Sequence, residues 1–384
     1  MSSPIYFDNA ASTHPKPEQV YLAADRLFRQ GGSPGRAAHE LALLAARAVF
    51  ETRLKVAQFL EVDKPERLIF TPGCTYSINM VLQRFPFERG DLVLVSALEH
   101  NAVMRALTAI VKTTGIVVEQ VPYSAGEILN PALLQELLKR QRPRLCVFME
   151  ASNVTGEKIA LELVASICKN AEVPLLVDAA QSAGLFHASL KNKGISFWST
   201  SAHKGLLGAP GLGLLYVAED QQLAPLISGG TGSFSEGLEM PPAFPDRLEA
   251  GTMNSPAIAA LGAGCDFVIE KGRQNLAAHE LALCNQFLDF LAQESKIECF
   301  SPRAAERVPV VSFRLVGIDS GRVAELLDRD FQICVRAGLH CAASAHKTLG
   351  TTSGGLIRAS FGSFNTALEV DRLCAALRRL AASG

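Results

Sequence analysis

Between about residue 66 and residue 217 the chain alternates short apolar runs with amphipathic stretches, and this rhythm restricts the possible folds more than any other feature. The runs are RLIF (67–70), LVLVS (92–96), IVVEQV (116–121), RLCVFME (144–150), PLLVDAA (174–180), FWST (197–200) and GLGLLYV (211–217). Runs this short and this uniformly apolar suit strands covered on both faces, and separators such as PALLQELLKR suit the helices that cover them. The pattern predicts an α/β fold. A large domain over residues 1–255 holds a mainly parallel sheet between helices, and its first twenty or so residues pack with a smaller domain. After the Gly- and Pro-rich stretch from Ser228 to Pro256, a long helical pattern runs over about 256–295. It is followed by VPVVSFRLV, the helix GRVAELLDRD and a strand pair ending in LIRASF, which predicts a smaller α+β domain over residues 256–384.

With 384 residues, 48% of them hydrophobic, the chain can bury a large core. Its 37 Lys and Arg nearly balance 38 Asp and Glu without a like-charge block, so neither nucleic acid nor an anionic membrane is favoured as partner, and a small molecule is. The opening MSSPIYFDNAASTHPKP does not read as a secretory signal, and no segment has the length of apolar sequence that a membrane span needs. Nine scattered cysteines without a C-x-x-C pair suggest neither zinc nor a redox motif, and they fit a reducing cytoplasm; no metal is expected.

Ligands of an open parallel sheet bind beyond the carboxyl ends of its strands, so polar residues that close each run are the candidates for chemistry. After RLIF stand Gly73, Cys74 and Thr75, which open a helical pattern and offer backbone N–H groups and a hydroxyl to a phosphate; on their own they are the commoner small-residue turn that caps a helix without a ligand. His100 follows LVLVS, where an imidazole could stack on a flat ring, shuttle a proton or make only local hydrogen bonds. Asn153 follows RLCVFME. Asp178 and Gln181 follow PLLV, and an acid closing an apolar strand needs a partner, either a helix end or a protonated pyridine nitrogen. Ser201, His203 and Lys204 follow FWST; the lysine, flanked by small residues, could form an imine, and its neighbours could hold a phosphate. The tetrapeptide SAHK recurs at 344–347, but only the first copy follows an apolar strand, which favours Lys204 over Lys347.

Taken together, TPGCT, EHNA, SNVTG, VDAAQ, SAHKGLLGAPGLG, RLEAGTMN, RAGLHCA and IRASFGSFNT make the chain resemble, from FDNAAST to its last strand, the class V aminotransferase family of fold-type I pyridoxal 5'-phosphate enzymes. Within that family it is most similar to the cysteine desulfurase and selenocysteine lyase group. The resemblance implies pyridoxal 5'-phosphate bound to Lys204 as a Schiff base, with Asp178 on the ring nitrogen, Gln181 and Asn153 on the ring hydroxyl side and His100 against the ring. It implies a phosphate held by Gly73, Cys74, Thr75, Ser201 and His203, and by Thr252 of a neighbouring subunit, hence a homodimer. Arg358 would grip the substrate carboxylate, with Asn153 and Arg336 also contacting the substrate, Cys341 would be the sulfur-accepting nucleophile, and Arg336 and His340 would favour its anion. Cys74 departs from the small hydroxyl residue common at its position.

The implied reaction converts L-cysteine to L-alanine, with Lys204 as base, His100 as a proton shuttle and the sulfur carried on Cys341 as a persulfide for an acceptor protein. Elimination from cystine or selenocysteine, class V transamination, and a scaffold without catalysis are the alternatives.

Overall fold

In the computed structural model the described residues are 4–383 without 36–37, 187–188, 192, 234 and 305, and none of the candidate site residues is among those omitted. The elements follow in the order β1 (Ile5–Tyr6), α1 (Glu18–Gln30), α2 (Glu40–Phe59), β2 (Leu68–Thr71), α3 (Cys74–Arg84), β3 (Leu92–Ser96), α4 (Asn101–Thr114), β4 (Val117–Val121), α5 (Pro131–Gln141), β5 (Leu145–Met149), α6 (Leu161–Asn170), β6 (Leu175–Asp178), β7 (Phe197–Ser201) and β8 (Gly213–Val217). The remainder comprises α7 (Ser255–Lys271), α8 (Arg273–Leu291), β9 (Ile297–Cys299), β10 (Val310–Leu315), α9 (Ser320–Phe331), β11 (Ile333–Cys334), β12 (Arg336–Gly338), α10 (Ala343–Thr348), β13 (Leu356–Ser360) and α11 (Ala367–Ser383).

The seven apolar runs form one seven-stranded sheet in the order β2-β8-β7-β6-β5-β3-β4. Strand β8 is antiparallel to both of its neighbours and all other strands point the same way, so one edge of the sheet gathers the carboxyl ends of six strands. The central β5, β6 and β7 are buried at every position, which is why they read as unbroken apolar runs, whereas the edge strand β4 carries exposed Glu119 and Gln120. Helix ends follow local chemistry: Asn130 accepts a hydrogen bond from Leu133 N at 2.9 Å ahead of Pro131, and Gly115 closes α4 at φ +80°.

The structure departs from the expected long helix over about 256–295. Gly272 at φ +80° splits it into α7 and α8, because a left-handed residue reverses the chain where a helix would continue. A second, four-stranded sheet runs β12-β13-β10-β9 and packs on α8, α9 and α11 around Phe287, Phe313 and Phe361. The N-terminal segment joins this layer: β1 pairs with β11, Phe7 lies in the same core, and Asp8 bridges to Ser360. Residues 8–16 then return to the large sheet and reach the turn that follows β7.

Candidate active site

A cavity of about 230 Å³ opens where the six strand ends meet the second sheet. Its walls include Cys74, Thr75, His100, Asn153, Asp178, Gln181, Ser201, His203, Lys204, Arg336, Cys341 and Arg358. Thus nearly every position singled out from the sequence converges on one space. Gly73 caps α3 directly beside it, whereas Thr252 is exposed in the segment before α7 and does not line the cavity of this chain. Lys347 is exposed on α10 and also lies outside the lining.

The turn bearing Lys204 is held from two sides. Thr13 Oγ1 donates to the carbonyls of His203 (3.1 Å) and Lys204 (3.2 Å), and Lys16 Nζ donates to His203 O at 2.6 Å. On the other side, a Cβ on Gly205 would lie 2.3 Å from Ala183 O, so only glycine lets this turn rest on the segment after β6. Lys204 Nζ makes no hydrogen bond among the described residues. Burial pushes its pKa down against the pull of Asp178, which raises the neutral, nucleophilic fraction of the amine. Burial also lowers Lys16, to about 8.

Asp178 is buried at the end of β6 with Oδ1 accepting from Ala180 N (3.0 Å) and from the Cys74 thiol (3.5 Å). Burial keeps that thiol protonated, well above its ordinary range, and it also lies 3.1 Å from Ser199 Oγ. Cys74 therefore supports Asp178 as a donor. His100 caps α4: its Nδ1 accepts from Ala102 N at 3.0 Å, which leaves Nε2 to carry the proton, and burial lowers its pKa so that the ring is neutral at pH 7. Gln181 donates to Ala10 O at 3.0 Å.

Cys341 is exposed on a turn between β12 and α10 in which both His340 (φ +49°) and Cys341 (φ +54°) are left-handed. Two bonds fasten this turn over the strand ends: Asn101 N donates to Cys341 O at 2.8 Å, and Asn153 Nδ2 donates to His340 O at 2.8 Å. Strain in the turn, about 1–3 kcal/mol per such residue, is thus held by groups of the opposite sheet. His340 gives the thiol no positive charge at neutral pH, because burial and Arg358 push its pKa to about 3.

Arg358 is buried, with Nη1 donating to Asn153 O (3.1 Å) and Nη2 to Asp8 Oδ1 (2.9 Å). Its Nε has no partner among the described residues. Asn153 Oδ1 and His203 Nδ1 are likewise buried and unpartnered beside the cavity. A ring and phosphate carrying both donors and acceptors would satisfy these atoms, the free N–H groups that open α3 face the same space, and an amine stands ready for a carbonyl carbon. The donor set fits pyridoxal phosphate.

Sequence reasoning did not single out Asp8, Lys16 or Glu99. Glu99 stood next to a chosen histidine but carried no pattern of its own. Its Oε1 accepts from Ser96 Oγ (2.6 Å) and Met149 N (2.8 Å), tying the end of β3 to β5, and burial pushes its pKa up to about 8. The folded state therefore binds a proton that the unfolded chain, ordinarily titrating near 4.5, has released, so this carboxyl makes stability fall between pH 4.5 and 8. Glu99→Gln is expected to be more stable than wild type by about 1–3 kcal/mol at pH 8, with the difference vanishing toward pH 5. Denaturant melts at the two pH values measure it, and a pH-independent difference would contradict the assignment.

A family model for aminotransferase class V matches residues 5–373, and the chain belongs to that family, whose members depend on pyridoxal phosphate. A relative from Methanothermobacter thermautotrophicus, named a probable cysteine desulfurase, is 32% identical over 99% of this chain and 95% of its own length. A cysteine desulfurase from Cronobacter sakazakii is 32% identical over 98% of this chain and 93% of its own. Among solved structures, the apo cysteine desulfurase of Thermococcus onnurineus superposes with a TM-score of 0.92 at 29% identity, covering 99% of this chain and 95% of that one. A cysteine desulfurase from Escherichia coli gives 0.88 at 29%, over 98% and 94%.

Proposed function

We propose that the chain is a pyridoxal phosphate-dependent cysteine desulfurase that converts L-cysteine to L-alanine and carries the sulfur on Cys341. The observation that supports this best is the placement of an exposed cysteine on a strained turn, fastened by Asn101 and Asn153 over the cavity that holds Lys204 and Arg358. Bound there, the cofactor supplies an electron sink for the pair left when the substrate Cα–H bond breaks. Lys204 would hold it through the amine, Asp178 would face its ring nitrogen, and His100, Asn153 and Gln181 would fix the ring. Gly73, Cys74, Thr75, Ser201 and His203 would surround the phosphate. Arg358 would orient the substrate carboxylate, and the Lys204 amine would then move the proton at Cα. The Cys341 thiolate attacks the substrate sulfur: an S–S bond forms as the Cβ–S bond breaks, a proton delivered to Cβ makes the methyl group, and the proton that Lys204 restores to Cα completes alanine. Neutral His100, with its proton on Nε2, is the group that would shuttle protons.

The reading is tested by the products. L-Cysteine with a thiol reductant should give alanine and sulfide in equal amounts. Pyruvate from cystine or selenocysteine would make the protein a lyase, and consumption of a keto acid would make it an aminotransferase.

The homodimer and the role of Thr252 across it belong to the same proposal. Helices α1 and α2 expose the large apolar side chains Leu22, Phe28, Leu41 and Phe50, with Phe28 at 75% and Phe50 at 61% exposure, which a partner surface would bury. Light scattering should report a dimer, and Phe28→Asp with Phe50→Asp should give a folded monomer with at least about tenfold lower activity, since each 1.4 kcal/mol of lost phosphate binding is tenfold. A fully active monomer would refute it. No described helix is long and apolar enough to cross a membrane. All nine cysteines are free, several of them buried, which supports a reducing cytoplasm as the site of action and a second protein as the acceptor of the exposed Cys341 sulfur.

A further inference from the structure

Strands β12 and β13 pair antiparallel with Arg336 directly opposite Arg358, so two guanidinium groups stand side by side on one wall of the cavity. Like charges so placed repel, and a third residue offsets them. Asp8 Oδ1 accepts from Arg358 Nη2 at 2.9 Å, and its Oδ2 lies 3.5 Å from Arg336 Nε. Asp8 is not among the residues lining the cavity; it lies behind the two arginines, fixed by the backbone pairing of the N-terminal segment with β13.

We infer that Asp8 is a positioning and selectivity residue: by cancelling one of the two guanidinium charges it leaves the substrate wall a net charge of +1, matched to an amino acid with one carboxylate and mismatched to one with two. This deepens the proposed function and rests on Arg358 receiving the substrate carboxylate. Because Asp8 occupies one Nη of Arg358 and Asn153 O the other, the guanidinium is held in a single orientation with Nε unpartnered. A single carboxylate finds one oriented cation. An acidic side chain entering beside it finds a second cation, Arg336, whose charge Asp8 Oδ2 already offsets from 3.5 Å away.

The test uses amino-acid binding to the holoenzyme, read as the change in cofactor absorption, with L-alanine as the probe with one carboxylate and L-aspartate as the probe with two. Wild type should bind L-alanine in preference to L-aspartate. Asp8→Asn, nearly isosteric, should shift the ratio of dissociation constants toward L-aspartate by about tenfold or more, the size expected when one partly screened charge several ångströms away is removed. Asp8→Glu should restore the wild-type ratio. Arg336→Gln should shift the ratio the opposite way, which gives a second reading if Asp8→Asn does not fold. Shifts of opposite sign from the two variants are not the result of a merely structural role. A wild type that binds L-alanine, with a ratio unmoved by either variant, overturns this inference alone. A wild type that binds neither amino acid overturns the proposed function as well.

Discussion

Lys204→Ala holoenzyme is expected to form alanine at no more than about one ten-thousandth of the wild-type rate, the scale of loss when a covalent anchor and a general base disappear together. The substitution removes the one amine at the cavity base whose pKa burial has lowered, and nothing nearby replaces it. Lys16, although also lowered, is occupied by the His203 carbonyl and Thr13, and Lys347 is exposed on α10 outside the cavity. Lys204→Arg should fail as badly, since a guanidinium keeps the charge and loses the nucleophile. Neither variant should show the absorption band of cofactor linked to lysine. The fold should survive, and the apoprotein should gain stability, because the buried Lys204 sheds protons on folding. That contribution has a definite sign: its folded pKa lies below the ordinary 10.5, so wild-type apoprotein becomes more stable as pH rises toward that value, and Lys204→Ala should flatten this part of the profile. Retention of more than about a hundredth of the activity would place the reacting amine elsewhere.

Cys341→Ala should reduce sulfide release from L-cysteine by about a thousandfold or more, and Cys341→Ser should do nearly the same, because a hydroxyl does not take over a sulfur. Cofactor content and L-alanine binding should stay near wild type. The side chain is exposed, the turn is fastened through backbone carbonyls that donors from Asn101 and Asn153 reach, and alanine keeps those carbonyls. Disrupting the fastening instead, with Asn153→Ala, should lower sulfur transfer while also loosening Arg358 only slightly, since Arg358 bonds the Asn153 backbone.

Much of this site is legible in the sequence, because its residues sit where an α/β sheet must place its ligands. Six strands pointing one way deliver His100, Asn153, Asp178 and Lys204 to one edge, and each apolar run marked its own end. The antiparallel β8 was not legible, since GLLYV is as buried and as apolar as a parallel strand such as β5, and direction leaves no mark on composition. Nor was the break at Gly272: an isolated glycine inside a helical pattern reads the same whether it is tolerated or turns the chain. Asp8 was hidden for another reason. Its partners lie some 330 to 350 residues away, and only the pairing of the N-terminal segment with the second sheet brings them within reach. Glu99 was hidden because nothing in the run EHNA marks its burial or its bond to Met149.

The most direct test of the account is a single turnover of wild-type holoenzyme with L-cysteine in the absence of reductant, followed by mass analysis of the peptide that carries Cys341. The account predicts one alanine formed per active site and a Cys341 peptide heavier by one sulfur atom, with Cys299 and Cys334 unchanged. An unmodified Cys341 peptide with pyruvate as the carbon product would contradict it.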